Sequence, residues 1–300
     1  MKILISGAAG LIGTALANAL KAEGYGVARL VRPGRTAASG DVRWDPATAT
    51  IDRAGMEGTD VVVHLGGAGI AEARWTLERK QILRSSRIDS TRVLVDSIAH
   101  LRQKPHIFVS ASAIGYYGNR GDEILTEKSS PAGDFLAVLV RDWENEAMRV
   151  ELSGVRAVIL RFGVILSAKG GALPRMLLPF KLGLGGRLGS GKQWMSWISL
   201  EDAIGALHAA ISSEDLRGPV NVAAPNPVRN AEFAHLLARI LRRPAILPAP
   251  AFMLRLMLGE LADALLLASQ RVRPERLLDA GYRFRHDHLE SALKVILASS

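Results

Sequence analysis

Short runs of β-branched and aliphatic residues alternate with longer segments of helical periodicity along the first half of the chain. This alternation predicts parallel strands that are covered by helices on both faces. Strands are predicted at residues 2–6, 26–31, 42–44, 61–65, 106–110 and 157–161, with helices at 11–23, 75–101 and 134–152. We therefore expect an α/β fold built on a doubly wound parallel sheet.

The pattern changes after Arg161. Residues 163–191 are rich in glycine and contain a helix-like apolar stretch at 173–182, after which the pattern predicts a helix at 200–212, a strand at 220–223 and a helix at 230–241. Leucine and alanine dominate from residue 244 onwards, interrupted by prolines 248, 250 and 274. We expect a main domain over 1–165 that the chain revisits at about 187–230, and a smaller, discontinuous substrate-side and helical C-terminal subdomain over 166–300.

Composition favours a folded, enzyme-sized protein, since the 300 residues are 48% hydrophobic and 22% charged. The chain has no cysteine, which excludes disulfides, thiolate metal sites and a cysteine nucleophile. A cytoplasmic location and no bound metal are expected. The longest apolar stretch, 249–267, is interrupted by Arg255, Glu260 and Asp263, so it is too charged for a membrane span, and no membrane partner is expected.

The chain is basic, with a formal net charge of +9 and an isoelectric point near 10.1. The positive residues are scattered and form no block of five or six, so no nucleic-acid partner is expected. Attraction of an anionic cofactor or an anionic small-molecule substrate explains the charge more simply.

A glycine-spaced turn follows the first predicted strand, with Gly7, Gly10 and Gly13 in the spacing G-x-x-G-x-x-G. In a strand-to-helix turn these glycines permit the tight bend, close approach of a pyrophosphate and close helix–strand packing. The helix beginning at Leu11 and Ile12 offers unpaired N–H groups to an anion. A Rossmann-type dinucleotide site is therefore predicted at this turn.

The end of the second predicted strand indicates which dinucleotide is bound. NAD-specific folds place an acidic residue there for the ribose 2′-hydroxyl, whereas this chain has Arg32. A guanidinium can pair with a 2′-phosphate, so NADP(H) is the expected cofactor. At the end of the fourth predicted strand, His64 is interpreted as a hydrogen-bonded structural histidine rather than a catalytic one.

The glycine spacing resembles that of extended short-chain dehydrogenases and reductases. Further segments resemble an atypical branch, the epimerase family with NAD-dependent epimerase/dehydratase-like sequences. They are Arg-Trp-Thr at 74–76, Ser-Arg at 86–87, Ser-Ala-Ser-Ala-Ile-Gly-Tyr-Tyr-Gly at 110–118, Asp-Trp-Glu at 142–144, Arg-Phe-Gly-Val at 161–164, Leu-Pro-Phe-Lys-Leu-Gly-Leu-Gly-Gly at 178–186, Asn-Val-Ala-Ala-Pro at 221–225 and Ser-Gln-Arg-Val at 269–272. The resemblance implies that Arg32, Leu65, Gly66, Arg87 and Ile165 line the NADP(H) site.

The catalytic pair usual in that superfamily is absent. Its members use a tyrosine for proton transfer and a lysine four residues later to lower the tyrosine pKa. The tyrosines here are Tyr25, Tyr116, Tyr117 and Tyr282, and none has a lysine four positions on. By the resemblance, the tyrosine position falls at Phe135 or Leu136 and the lysine position at Leu139 or Val140.

Two functions therefore remain open. In the first, Ser112 holds a substrate oxygen, Tyr116 or Tyr117 acts as the acid, and hydride moves to or from nicotinamide in an oxidoreductase or epimerase-like reaction on a carbonyl or hydroxyl compound. In the second, the chain binds NADP(H) without turnover, as a redox or metabolite sensor. The two tyrosines could equally be packing groups of the pocket wall.

Two features bear on the substrate and on assembly. Arg161, Lys192, Trp194 and Trp197 could shape a pocket for an anionic substrate, or the tryptophans could be buried packing groups. The predicted helices at 75–101 and 134–152 could form the four-helix contact of a homodimer, as in many relatives, or the C-terminal subdomain could cover that face.

Overall fold

The computed structural model describes residues 1–245 and 247–298. Its strands are β1 (Lys2–Ser6), β2 (Gly26–Val31), β3 (Val42–Asp45), β4 (Thr50–Ile51), β5 (Val61–His64), β6 (Ile107–Ala113), β7 (Ile124–Leu125), β8 (Arg156–Phe162), β9 (Val164–Leu166), β10 (Trp194–Met195), β11 (Trp197–Ser199), β12 (Gly218–Val222), β13 (Val228–Arg229) and β14 (Arg271–Val272).

The α-helices are α1 (Leu11–Ala22), α2 (Arg53–Met56), α3 (Leu77–Arg84), α4 (Ser90–Ala99), α5 (Phe135–Met148), α6 (Ala172–Lys181), α7 (Leu200–Ser212), α8 (Asn230–Leu241), α9 (Ala251–Leu258), α10 (Glu275–Asp279) and α11 (Leu289–Ala298). A π-helical segment, Ser85–Asp89, joins α3 to α4, and another spans Ala262–Leu267. Short 3₁₀ segments cover Ile114–Tyr117 and Arg149–Ser153. The helix predicted over 75–101 is thus the continuous segment α3 to α4.

Eight strands form the central sheet in the order β12-β8-β6-β5-β1-β2-β3-β4. All neighbours are parallel except β3 and β4, which form an antiparallel edge. The strand order reverses at β1, which pairs with β2 on one side and with β5 on the other. The predicted doubly wound parallel sheet is confirmed, and its reversal point places a ligand crevice at the carboxyl ends of β1 and β5.

Both faces of the sheet are buried, as the continuous apolar runs of its strands require. Alternate residues of β1 show this, because Ile3 and Ile5 pack with α1 and α7 whereas Leu4 packs with α4 and the end of α5. All three side chains are completely buried. Apolar burial on two faces fixes the sheet and hence the position of its carboxyl edge.

The C-terminal half contributes both to the sheet and to a second cluster. Helix α7 and strand β12 return the chain to the main sheet, with β12 pairing beside β8. Helices α6, α8 and α11 pack around a separate core that includes Leu173, Phe233 and Leu293. The C-terminal part also contacts the main domain through Leu258 and Leu261, which pack against residues of α3 and α5.

The outer face of α4 and α5, where a homodimer contact was expected, is charged. Ion pairs cross it between Arg92 and Glu146 at 3.2 Å and between Arg149 and Asp96 at 2.9 Å. These ion pairs already satisfy charges of that face, and the homodimer stays a prediction. Within residues 1–245 and 247–298, no helix is long and apolar enough to cross a membrane.

Candidate functional site

The glycine turn between β1 and α1 has the geometry that its spacing predicts. Gly7 has φ +68°, and a Cβ there would lie 2.7 Å from the Leu65 carbonyl oxygen. A Cβ on Gly13 would lie 2.3 Å from the Gly7 oxygen. Gly10 is the N-cap of α1 and supplies no side chain to that helix end. Gly7 and Gly13 are therefore required by close backbone contacts.

The first turn of α1 forms an anion cradle. The N–H groups of Leu11, Ile12 and Gly13 belong to the part of a helix that has no internal acceptor, and they carry the positive end of the helix dipole. The turn between β9 and α6 lies next to this first turn of α1. A Cβ on Gly171 in that turn would lie 3.2 Å from a Leu11 methyl carbon and 3.8 Å from the Ile165 oxygen. The cradle therefore lies between the glycine turn and the segment that follows β9.

Arg32 lies just beyond β2 and is free to bind an anion. It is exposed, its guanidinium carbon lies 6.0 Å from the Trp44 ring centroid, and it forms no ion pair within the described residues. The nearby acid Asp41 is already paired with Arg29 at 2.5 Å. Arg35, also exposed, adds a second positive charge to the same turn. The carboxylate that an NAD-specific site would need is thus absent from this position.

Arg87 is a second cation at the cleft, and it is half-buried. Its guanidinium donates to the Ala68 oxygen at 3.0 Å and to the Leu83 oxygen at 3.3 Å, but forms no ion pair within residues 1–245 and 247–298. Burial, helped by the charge of Arg79, lowers the pKa of Arg87 to about 10, so it stays protonated at neutral pH. A half-buried cation without a carboxylate partner is suited to an anionic ligand.

The segment after β5 is fixed by a buried hydrogen-bond chain. The Leu65 and Gly66 amides donate to Ser6 Oγ at 3.1 and 3.2 Å, and Ser6 Oγ lies 2.5 Å from His64 Nδ1. Because Ser6 accepts two hydrogen bonds, its own hydrogen points to His64 Nδ1, which leaves the proton of the neutral ring on Nε2. Nε2 lies 3.3 Å from Ser90 Oγ. His64 therefore holds Leu65 and Gly66 in place, as expected for a structural histidine.

We expect His64 to stay neutral over the whole ordinary pH range of the folded protein. Complete burial, with smaller contributions from Arg32 and Arg87, lowers its pKa to about 3. The unfolded chain binds this proton near pH 6.5, so stability should fall as the pH drops below 6.5, by up to about 1.4 kcal/mol per pH unit. ¹⁵N NMR of the ring should show a protonated Nε2 and no titration of His64 between pH 8 and 5. A His64 signal that titrates near pH 6 would contradict this.

Ser112, predicted to hold substrate, lies at the end of β6 beside a buried ion pair. Its Oγ donates to Glu144 Oε1 at 2.5 Å, and Arg161 donates to the two Glu144 oxygens at 2.8 and 2.6 Å. The side chains of Arg161 and Glu144 are only 2% and 7% exposed. Burial by itself would lower the pKa of Arg161. The Glu144 carboxylate has the larger effect, so the Arg161 pKa is raised. Arg161 therefore keeps its charge inside the protein.

Tyr117 belongs to the same buried network. Arg161 donates to its hydroxyl oxygen at 2.9 Å, and that hydroxyl donates to Asn221 Oδ1 at 2.7 Å. Asn221 is itself held, because its backbone amide donates to Glu127 at 3.0 Å. Burial raises the pKa of Tyr117 to about 12, although the charge of Arg161 opposes the shift. A buried phenol with both hydrogen bonds satisfied and a raised pKa is poorly suited to give a proton.

Tyr116 has a different environment. It is half-buried, and its hydroxyl forms no hydrogen bond within the described part of the chain. Its ring lies directly on the guanidinium, with Arg161 Cζ 3.5 Å from the ring centroid, and it meets Tyr117 edge to face at 5.3 Å. Tyr116 is therefore the one of the two adjacent tyrosines whose hydroxyl is left free.

The four residues suggested for an anion pocket differ in their exposure to solvent. Arg161 and Trp197 are buried, the indole of Trp197 donating to the Asn226 oxygen. Trp194 is half-buried and Lys192 is exposed. Sequence analysis missed Glu144 and Asn221 as network members, although both belong to motifs that carry the family resemblance.

Comparisons with known families and proteins show the family to which the chain belongs. The model of the NAD dependent epimerase/dehydratase family matches residues 3–223, and that of a domain of unknown function (DUF1731) matches residues 249–296. An epimerase family protein of Mycobacterium bovis is 44% identical over 291 residues, covering 97% of this chain and 96% of that protein. Epimerase family protein YfhF of Bacillus subtilis is 38% identical over 302 residues, covering 99% and 98%.

Solved structures show the same likeness. The human epimerase family protein SDR39U1 (isoform 2), solved with NADPH, matches with a TM-score of 0.90 and 33% identity over the whole of both chains. A nucleoside-diphosphate sugar epimerase from Corynebacterium glutamicum matches with a TM-score of 0.83 and 34% identity over all of this chain and 59% of that one. The resemblance predicted from the motifs is confirmed: the chain belongs to the NAD dependent epimerase/dehydratase family.

Proposed function

We propose that the chain is an NADP(H)-dependent oxidoreductase or epimerase-like enzyme that acts on a carbonyl or hydroxyl group of a small molecule. The observation that carries the cofactor is the cradle at the α1 N-terminus together with Arg32 and Arg87, two cations that form no ion pair within the described residues. The diphosphate fits the helix N-terminus and the 2′-phosphate fits Arg32. The NADPH in the human relative supports this assignment.

The free hydroxyl of Tyr116 carries the catalytic part of the proposal. NADP(H) supplies or accepts the hydride when bound. In reduction, the substrate carbon takes the hydride and Tyr116 gives its proton to the substrate oxygen, after which solvent reprotonates the phenolate. Ser112 donates its hydrogen to Glu144, so it can offer only lone pairs to a substrate hydroxyl.

The alternative function is an NADP(H)-binding sensor without turnover. It is favoured by the commitment of Ser112 and Tyr117 to the buried network, and by the absence of a Tyr-x-x-x-Lys pair. The substrate class is open in both cases. Arg229 and Arg271 lie over the Trp194 ring and would favour an anionic molecule, although Asp122 already pairs with Arg229 at 2.7 Å. The absence of cysteine supports a cytoplasmic location.

We expect Tyr116→Phe to lower kcat roughly a hundredfold with little change in NADPH affinity, because only the transferred proton is removed. The measurement is NADPH consumption over a panel of aldehydes, ketones and keto acids, with NADPH affinity measured separately. Tyr25→Phe is the matched control, since Tyr25 lies in the loop before β2 and should retain full activity. Unchanged turnover in Tyr116→Phe would contradict the role of Tyr116, and tight NADPH binding with no turnover of any compound would favour the sensor.

A further inference from the structure

The solvent-facing side of α9 is apolar, the reverse of the usual pattern for a surface helix. Phe252, Met253, Leu256 and Met257 are 68%, 46%, 75% and 66% exposed. Their spacing of i, i+1, i+4 and i+5 places them along one side of the helix. Single exposed apolar residues are ordinary, but a contiguous patch of this kind marks an interaction surface.

A neighbouring segment extends this patch. The strip after α6 runs beside the strip before α9, with the Gly189 amide donating to the Ala249 oxygen at 2.8 Å and the Ala249 amide donating to the Arg187 oxygen at 2.9 Å. Four leucines of these two segments are also more than half exposed. They are Leu178 on α6, Leu182 and Leu184 after α6, and Leu247 before α9. We refer to these four leucines and the four α9 residues as the apolar face.

The two segments that contribute to the apolar face carry the excess positive charge of the chain. Residues 167–200 contain five lysines and arginines and residues 233–259 contain four, and neither segment has an acidic residue. The remainder has 29 basic and 29 acidic residues, so the whole net charge of +9 resides in these two segments. The exposed cations Lys181, Arg187, Arg242 and Arg243 form no ion pair within residues 1–245 and 247–298.

We propose that the apolar face and its surrounding cations bind the surface of an anionic lipid bilayer. Apolar side chains that enter the headgroup boundary, ringed by lysine and arginine, form the recognised physical basis of peripheral membrane attachment. A second copy of this chain would bring two such cationic rims together, which like-charge repulsion disfavours. This proposal is independent of the function proposed for the cleft. It differs from the expectation of no membrane partner, which considered only a membrane span.

The test is sedimentation of the full chain with vesicles. We expect binding to vesicles of phosphatidylcholine mixed with phosphatidylglycerol, weakened by high salt, and little binding to phosphatidylcholine alone. Because each cation near such a surface contributes about fivefold to binding, Lys181→Glu with Arg243→Glu should weaken it at least about twentyfold. Phe252→Ser with Leu256→Ser should weaken it at least about tenfold through lost apolar burial.

The same chain offers a matched control for each pair of substitutions. Lys104→Glu with Arg53→Glu reverses two exposed cations elsewhere, and Leu77→Ser with Leu152→Ser removes two leucines that are 84% and 89% exposed. Both control pairs should bind like the unaltered chain. Absence of binding to anionic vesicles, equal loss in the controls, or a stable dimer that Phe252→Ser with Leu256→Ser dissociates would each overturn the proposal.

Discussion

Arg161→Leu is expected to lower the free energy of unfolding by about 3–5 kcal/mol, because it leaves the Glu144 carboxylate charged and unpaired inside the protein. Arg161 forms both hydrogen bonds of the ion pair with Glu144 and also donates to Tyr117. No other cation is paired with Glu144 among the described residues. Equilibrium denaturation in urea, followed by circular dichroism, would measure the loss.

A double-mutant cycle separates the ion pair from simple packing. Glu144→Leu leaves the Arg161 charge buried and should be similarly destabilising, whereas the double variant Arg161→Leu/Glu144→Leu should be more stable than either single one. Arg84→Leu is the surface control, since Arg84 pairs with Asp142 at 3.1 Å with its side chain 44% exposed, and it should cost less than about 1 kcal/mol. If Arg161→Leu costs no more than Arg84→Leu, the buried pair is not a stabilising unit.

This network also shows where sequence analysis reaches its limit. Ser112 and Tyr117 were predicted as catalytic because their residue types and their place after a strand suit the chemistry. Their hydroxyl partners, Glu144 and Asn221, lie 32 and 104 residues further along the chain. Such partners follow from packing of α5 against β6 and from pairing of β12 with β8, which no local spacing reveals. The hydroxyls of Tyr116 and Tyr117 therefore differ in their hydrogen bonding within the described residues, which is why we propose Tyr116, a distinction that the adjacent sequence positions do not contain.

The fold was easier to predict from the sequence than the site, because each pattern that indicates it lies within one short segment of the chain. Two faces of buried β-branched residues predict a parallel sheet, and the glycine turn identifies its first strand. Several short strands and one helical irregularity were missed, and two of them show why. Strand β4 is only the pair Thr50–Ile51, too short to produce a periodic pattern, and it exists because it pairs with β3. The π-helical segment Ser85–Asp89 keeps ordinary helical composition, so its extra residue leaves no trace in the sequence.

Arg32→Ala is expected to weaken NADPH binding roughly 150-fold, about 3 kcal/mol, because two charge-assisted hydrogen bonds to the 2′-phosphate are lost. NADH has no such phosphate, so its affinity should change little. Calorimetric titration of each nucleotide measures both values, with Arg35→Ala as the control for a nearby exposed cation. Equal weakening of NADPH and NADH would assign Arg32 to the general positive field of the cleft and not to the 2′-phosphate. An unchanged NADPH affinity would mean that Arg32 does not bind the cofactor. Arg87 and the α1 N-terminus, which would contact NADPH and NADH alike, would then bind its anionic groups.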